Sequence, residues 1–237
     1  MTALPAGLAA EPGTVQVWSD IGCPWAHAAV FFGIVYAAER LTLELWKSFI
    51  REEDQSKYFI PMQFGVLGKP VQNRAVRWAV LCGVLLVLVA SVWGVVALQR
   101  AVPDLPAWLV LVTIGAFGGW LTAFGGAWKD APVEGFETLK FFRSPLISLF
   151  WAVIVANFTD SWLYIGVAGA GYSVAAIETY KTFFFPSKPR GKFAGKPITH
   201  PEMLQKRQYF VPVYVAIWVA VLGSLAAAFL QRHEGML

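Results

Sequence analysis

Charged side chains of both signs are concentrated in one short stretch between two apolar segments in the middle of the chain. Carboxylate oxygens are the ligands that Mg²⁺ prefers, which makes Asp130 and Glu134 candidate metal ligands. Basic side chains hydrogen-bond phosphate, which makes Lys129, Lys140 and Arg143 candidate ligands of a lipid phosphate. The alternative is a solvated loop whose mixed charges anchor the neighbouring helix ends at the headgroups.

A second stretch, residues 183–207, combines aromatic, basic and proline residues, and its proline and glycine content predicts an extended course at the surface. Phenylalanine side chains beside a span insert at the headgroup level, while each lysine attracts anionic lipid by about 1 kcal/mol. The candidate headgroup ligands are Lys188, Arg190, Lys192 and Lys196. Next to a bilayer this charge predicts anionic lipid, not nucleic acid, as the partner. The alternative is a loop that only sets the topology.

The residues that ligate haem or zinc are sparse and scattered. No two of His27, His200 and His233 have the helical spacing of paired ligands, which argues against a haem or zinc site. The chain contains neither a P-loop nor the Asp-x-x-Asp-Gly-x-x-Ala-Arg pattern of CDP-alcohol phosphotransferases, and the cofactor stays unknown. Cys82 lies in an apolar run and is predicted to be a small buried packing residue.

The composition indicates which kind of element must position these side chains. Of 237 residues, 57% are hydrophobic and 14% are charged, against about 45–50% and about 25% in soluble domains. Disorder, collagen and a disulfide scaffold are excluded. The sequence therefore predicts an all-α, polytopic transmembrane helical bundle.

A helix needs about 20 apolar residues to cross the hydrocarbon core of a bilayer. We predict an extramembrane segment at 1–25 and a helical membrane domain at 26–237. The candidate spans are 26–46, 78–98, 107–128, 146–158, 161–179 and 209–230. In the first span, Glu39 and Arg40 would be costly unless they are paired or face a polar cavity. Five spans remain if this segment does not insert.

The stretch 146–177 would be about 48 Å long as one helix, too long for one upright span. Asn157, Asp160 and Ser161 lie in its middle and favour turns and helix caps, so we predict two helices that meet there, with Asp160 as the N-cap of the second. The first, at 13 residues, would reach about 20 Å.

Basic residues support this hairpin. The three connections richest in them contain six, three and seven, whereas the opposite connections contain Arg100 and Arg232. Only the hairpin places all three on one side, which the positive-inside rule makes cytoplasmic. We therefore expect an integral protein of a bacterial-type plasma membrane, with both termini outside.

Small residues recur at helical spacing within two of the predicted spans. Gly115 and Gly119 form a small-xxx-small pair, and Gly166 and Ala170 form another. Such pairs let helix backbones approach closely, so we expect these four residues at helix–helix contacts.

Residues 15–30, VQVWSDIGCPWAHAAV, resemble the opening strand and active-site turn of DsbA-like thioredoxin-fold oxidoreductases. The resemblance implies that Cys23 is a nucleophilic cysteine at a helix N-terminus, which lowers the pKa of its thiol. Ala26 occupies the position of the resolving cysteine, so an internal disulfide cannot form there. The resemblance covers 16 of 237 residues, and a fusion remnant or chance similarity are the alternatives to a working thiol.

Four functions are compatible with these features. The first is an accessory or structural subunit of a membrane complex, supported by the scarcity of charge within the spans and by the small-residue faces. The second is a membrane enzyme that acts on a phosphorylated lipid or polyprenyl substrate through residues 129–143. The third is a small transporter, and the fourth is a thiol oxidoreductase that uses Cys23. We expect the first, with the lipid bilayer and other membrane subunits as partners.

Overall fold

The structure is a computed structural model that describes residues 24–57, 62–67, 69–128, 131, 135–184, 195, 197–231 and 235–237. The described residues form seven helices and one small hairpin. The helices are α1 (Pro24–Leu45), α2 (Arg74–Ala101), α3 (Ala107–Trp128), α4 (Thr138–Val155), α5 (Trp162–Thr179), α6 (Glu202–Gln208) and α7 (Val211–Leu230). The antiparallel hairpin pairs β1 (Gly65–Val66) with β2 (Lys69–Pro70). The predicted all-α fold class is confirmed.

Several helices contain or continue into π-helical turns of five residues. These turns extend α1 through Trp46–Ile50 and α5 through Tyr180–Phe184, and they interrupt α3 at Leu111–Gly115 and Phe124–Trp128.

Four of the described helices, α2, α3, α4 and α7, are long and apolar enough to cross a membrane by length and composition. Their order of decreasing hydropathy is α2, α7, α3, α4, and the buried share of each apolar stretch rises in the same order, from 6% through 17% and 33% to 39%. In water the most apolar helix would be the most buried. The opposite order is what a lipid solvent produces, because lipid tails are as apolar as leucine.

The centre of the bundle is α5. Its residues Ile165, Ala168 and Tyr172 are completely buried. The helices α1, α3 and α4 approach it closely through small residues. A Cβ on Gly171 would lie 1.9 Å from the carbonyl oxygen of Gly33 in α1. The core is therefore built on backbone-to-backbone contacts around α5.

The helices alternate in direction. Because Gly33 lies against Ala168 and, further along both helices, Arg40 pairs with Glu178, α1 and α5 run parallel. α3 also runs parallel to α5, whereas α2, α4 and α7 run the other way. Consequently α1, α3 and α5 end, and α2, α4 and α7 begin, at the same end of the bundle. We call this the basic end, since the three connections richest in Lys and Arg lie between these helices.

The boundaries of α4 differ from the prediction of 146–158. The helix covers Thr138–Val155, runs through Pro145 and reaches about 27 Å. A proline is tolerated in a buried apolar helix when neighbouring helices pack around it. Here Gly119 of α3 comes so close that a Cβ on it would lie 2.5 Å from Cα of Pro145. The segment 138–145, expected to be loop, is thus helical.

Three smaller predictions are also corrected. The N-cap of α5 is Ser161, not Asp160: the hydroxyl of Ser161 accepts from the backbone N–H of Tyr164. Residues 202–208 are helical although an extended course was expected, since Leu204 and the four basic or amide side chains at 205–208 favour a helix there. Cys82 is exposed, because it lies on the outer side of the least covered helix.

Candidate functional site

A cluster of polar side chains joins α1, α5 and α7 near the basic end. The guanidinium group of Arg40 forms an ion pair with one carboxylate oxygen of Glu178. The Tyr36 hydroxyl donates a hydrogen bond of 2.6 Å to the other oxygen. Both charged side chains are about one third exposed, 29% for Arg40 and 33% for Glu178. The pairing removes most of the cost that unpaired charges would have in an apolar bundle.

The next residue of α5 extends the cluster to α7. The hydroxyl of Thr179 shares a short hydrogen bond with the Tyr214 hydroxyl and accepts one of 3.1 Å from the indole N–H of Trp218. Phe183 stacks on the Tyr214 ring, with 4.1 Å between ring centroids. Since the cluster ties α1 to α5 and α5 to α7, we call it the three-helix junction.

The polar contacts of the three-helix junction hold its helices together. The contacts with Arg40 and Tyr36 engage both oxygens of Glu178, and they run between side chains of the bundle itself. A bundle surrounded by lipid gains little from apolar burial between its helices, so interhelical hydrogen bonds and close packing must hold it together. The junction supplies the first of these where α1 and α5 approach the basic end.

A buried arginine organises the connection between α1 and α2. The side chain of Arg77 is 1% exposed and donates to the carbonyl oxygens of Phe49, Val71 and Gln72 at 3.1–3.4 Å. Its remaining nitrogen lies 2.5 Å from a carboxylate oxygen of Glu52. Arg77 therefore fixes the start of α2 against the π-helical end of α1.

A single amide fixes the opposite end of α2. The side-chain nitrogen of Gln99 donates to the carbonyl oxygen of Asp160, and its oxygen accepts from the backbone N–H of Trp162, both at 3.0 Å. The second bond satisfies one of the N–H groups that lack a partner at the start of a helix. α2 is thus held by polar contacts at both ends.

The small residues singled out in the sequence lie between α3, α4 and α5. A Cβ on Gly115 would lie 2.7 Å from the Cβ of Ala152, and one on Gly166 would lie 3.0 Å from Cγ2 of Ile114. Gly118, one residue before Gly119, meets Ala170 of α5 in the same way, at 2.2 Å. The structure therefore brings Gly115, Gly119, Gly166 and Ala170 into one packed region.

The candidate ligands of metal and phosphate are placed only in part. Lys140 and Arg143 lie in the first turns of α4, one helical turn apart and partly buried. The other candidates lie outside the described residues and stay predictions: Cys23, Lys129, Asp130, Glu134, Lys188, Arg190, Lys192 and Lys196. Within the described parts of the chain, no three His, Cys, Asp or Glu side chains are grouped so that they could hold a metal ion.

Sequence reasoning missed Tyr36, Arg77 and Gln99 as contact-making residues. Arg77 is one of the six basic residues counted in the first of the three basic connections, although it falls in the first turn of α2. Gln99 carried a detectable signal, because an amide at the end of an apolar span needs a partner. Tyr36 lies 142 residues from its partner, and no local pattern indicates that pairing.

Comparison of the chain with protein-family models, with curated proteins and with solved structures finds no match in any of the three. A function for this bundle must therefore be inferred from the placement of its own residues. The most informative of these are the outward faces of its apolar helices and the polar contacts at their ends.

Proposed function

We propose that the chain is an integral membrane protein in which α1–α5 and α7 all cross the bilayer, and that it serves as an accessory or structural subunit of a membrane complex. The observation that carries the proposal is the relation between hydropathy and burial. In the most apolar helix, α2, only 6% of the apolar stretch is buried, and side chains such as Leu86 and Trp93 are at least 70% exposed. Such a surface is compatible with lipid or with another apolar protein surface, not with water.

The lower hydropathy of α1 and α5 is compatible with spanning. α5 lies inside the bundle, where other helices replace lipid as its surroundings, and α1 packs one face against it. The charged residues Arg40 of α1 and Glu178 of α5 pair with each other. A central helix needs fewer apolar side chains than a helix that faces lipid. Six crossings also place both chain ends on the side opposite the basic end.

The distribution of basic residues supports an orientation. Lys and Arg are concentrated at the basic end, and such residues mark cytoplasmic connections. We therefore assign the basic end to the cytoplasmic side of a bacterial-type plasma membrane, with the turns at 102–106 and 156–161 outside.

A role as a subunit is supported by small residues on the outer face of α2. Ala79, Gly83, Ala90 and Gly94 recur at helical spacing, and nothing lies within 4 Å of a Cβ built on either glycine. The glycines inside the bundle, in contrast, all meet a neighbouring helix. Small residues at this spacing let a second helix approach closely.

Cysteine labelling tests the membrane assignment. Cys82 is exposed on the protein and lies about 12 Å along α2 from Arg74. The Cys23→Ser substitution removes the other of the two cysteines, so that a reagent can modify Cys82 alone. We expect a charged maleimide to leave Cys82 unmodified in intact vesicles and to label it in denaturing detergent. Labelling in intact vesicles would refute the spanning of α2.

The same chemistry tests the orientation. In a background without Cys23 and Cys82, Leu67→Cys lies at the tip of the hairpin, where Leu67 is 97% exposed, and Asp104→Cys lies in the opposite turn. In whole cells we expect the reagent to label Asp104→Cys directly and Leu67→Cys only after permeabilisation. The reverse pattern would contradict the assigned orientation.

Gly83→Leu tests the role as a subunit. We expect a partner protein to co-purify in fixed stoichiometry with the wild type and to be lost with Gly83→Leu. The control Val219→Leu adds a methylene to an exposed position of α7 and should retain the partner. Absence of a stoichiometric partner, or equal retention in both variants, would contradict the proposal.

A further inference from the structure

Arg143 is a charged residue inside a helix that we assign to the membrane. It lies about 8 Å along α4 from Thr138, within the stretch that is apolar enough to cross a bilayer. Its Nε nitrogen is buried and has no hydrogen-bond partner, and no described residue forms an ion pair with its guanidinium group. Charged side chains within a span are costly and are almost always paired. Arg143 therefore requires an anion that the described part of the chain does not supply.

Three other arginines that the protein covers wholly or in part have partners within the chain. Arg40 pairs with Glu178, and Arg77 donates to three backbone carbonyl groups. The Nε nitrogen of Arg51 is likewise buried, but it lies 3.7 Å from a carboxylate oxygen of Glu53. By contrast, the described residues provide no such partner for the guanidinium group on α4.

The position of Arg143 on α4 indicates the source of the anion. Leu139 precedes it by four residues, and Leu146 and Phe150 follow it by three and seven, so all three share its side of the helix. Their side chains are 73%, 59% and 59% exposed. The other side of α4 packs against α3 and α5. Arg143 therefore lies in the outward stripe of α4, which faces lipid in our assignment.

The direction of the side chain brings its charge toward the headgroups. Side chains of a helix lean toward its N-terminus, and α4 begins at the basic end. A long basic side chain keeps its stem in apolar surroundings while its charge reaches the interface, which agrees with the buried Nε of Arg143. Lys140, one turn nearer the basic end, adds a second positive charge. These charges, with Leu146 and Phe150 below them, complement an anionic headgroup above an acyl chain.

We propose that an anionic phospholipid binds to the outward stripe of α4, with its phosphate at Arg143 and an acyl chain along Leu146 and Phe150. The proposal rests on the membrane assignment made above. A guanidinium group donates two parallel hydrogen bonds to one phosphate, which an ammonium group does not. Because the stripe is on the outside of the bundle, the lipid supplies the missing negative charge without breaking a contact between helices.

Lipid retention in the purified protein tests the site. We expect the wild type, extracted in mild detergent and equilibrated with equal amounts of phosphatidylglycerol and phosphatidylcholine, to retain one phosphatidylglycerol in native mass spectrometry. Arg143→Gln should retain about tenfold less, because an uncharged amide replaces the guanidinium group. The control Arg74→Gln removes the same charge at the basic end from a side chain that lies 3.9 Å from the Glu52 carboxylate, and it should bind like the wild type.

Thermal unfolding in detergent separates lipid binding from folding. Added phosphatidylglycerol should raise the Tm of the wild type and of Arg74→Gln but not that of Arg143→Gln, since a ligand of the folded state stabilises it. Without lipid, Arg143→Gln should unfold at the wild-type Tm or above it, because the substitution removes an unpaired charge from an apolar helix. A lower Tm of lipid-free Arg143→Gln would mean that Arg143 has its partner within the protein and would overturn the proposal. An equal rise of the wild-type Tm with inorganic phosphate would overturn the assignment to lipid.

The remaining outcomes are also decisive. Equal phosphatidylglycerol retention by Arg143→Gln and Arg74→Gln would mean annular lipid only and would overturn the site. Loss of a co-purifying protein with Arg143→Gln, at unchanged lipid retention, would assign the anion to a subunit instead. A wild type that is shielded at Cys82 in vesicles but retains no lipid would overturn the lipid site and leave the membrane assignment standing.

Discussion

The contact between α1 and α5 at Gly171 provides the most specific test of the packing. A Cβ on Gly171 would lie 1.9 Å from the carbonyl oxygen of Gly33 and 3.0 Å from the backbone nitrogen of Ala37. Both are backbone atoms, so no side chain can rotate away. Ordinary contact begins at 3.4 Å, and α1 would have to move outward by about 1.5 Å.

Such a movement would also break hydrogen bonds between the two helices. The Tyr172 hydroxyl donates to the carbonyl oxygen of Ala29 at 2.7 Å, and an added 1.5 Å exceeds hydrogen-bonding distance. Overpacking costs about 1–3 kcal/mol and a lost hydrogen bond about 1 kcal/mol. We therefore expect Gly171→Ala to lower the free energy of unfolding by about 2–4 kcal/mol.

Denaturant unfolding in detergent, followed by the fluorescence of the 11 tryptophans, measures this effect. Gly83→Ala is the matched control, since nothing lies within 4 Å of a Cβ built there. In a helix alanine is favoured over glycine by about 1 kcal/mol, so the control should be neutral or slightly stabilising. Equal stability of Gly171→Ala and Gly83→Ala would refute the backbone contact between α1 and α5.

Three further variants probe the polar contacts. Arg77→Met should destabilise the protein by about 3 kcal/mol and make the connection between α1 and α2 sensitive to proteases, because it leaves buried carbonyl groups without hydrogen-bond donors. The control Arg74→Met should change neither the stability nor the protease sensitivity. Gln99→Leu should cost about 2 kcal/mol in unfolding by removing both bonds between α2 and the start of α5; an unchanged unfolding curve would contradict this. Arg40→Gln should cost about 1–2 kcal/mol because it leaves a partly buried carboxylate unpaired, and adding Glu178→Gln should recover much of the loss, whereas additive losses would exclude their coupling.

The sequence predicted helices best where lipid is the expected neighbour. The third span was predicted at 107–128, and α3 covers the same residues, although its two π-helical turns left no sequence signal. The span predicted at 146–158 begins eight residues after the start of α4, on the C-terminal side of Pro145. Whether a proline interrupts a helix depends on how closely another helix can approach, and here that is decided by Gly119, 26 residues away.

For the polar contacts, the sequence predicted that a charged side chain needs a partner but not which residue the partner is. The sequence indicated that Arg40 needed a partner, and the structure identifies Glu178 as that partner. It could not identify the partner beforehand, since 138 residues separate the two. Long-range pairing of this kind depends on the register between α1 and α5, which the contact of Gly33 with Gly171 sets.

Of the two segments with the weakest apolar signal, α1 and α5, the second is the helix nearest the centre. α1 was the least certain of the predicted spans because Glu39 and Arg40 interrupt it, and α5 is rich in glycine and tyrosine. α5 forms the core around the fully buried Tyr172, and α1 adds Ala29 and Val30 to it from one face while its Phe31 and Val35 are nearly half exposed. Hydropathy therefore measures contact with lipid more than it measures crossing of the membrane. A helix that other helices surround can replace leucine and valine with glycine, which gives close packing, and with paired polar groups, which give specificity. In this chain the same substitution explains why α5 is central and why the more apolar α2 is left to lipid or to another protein.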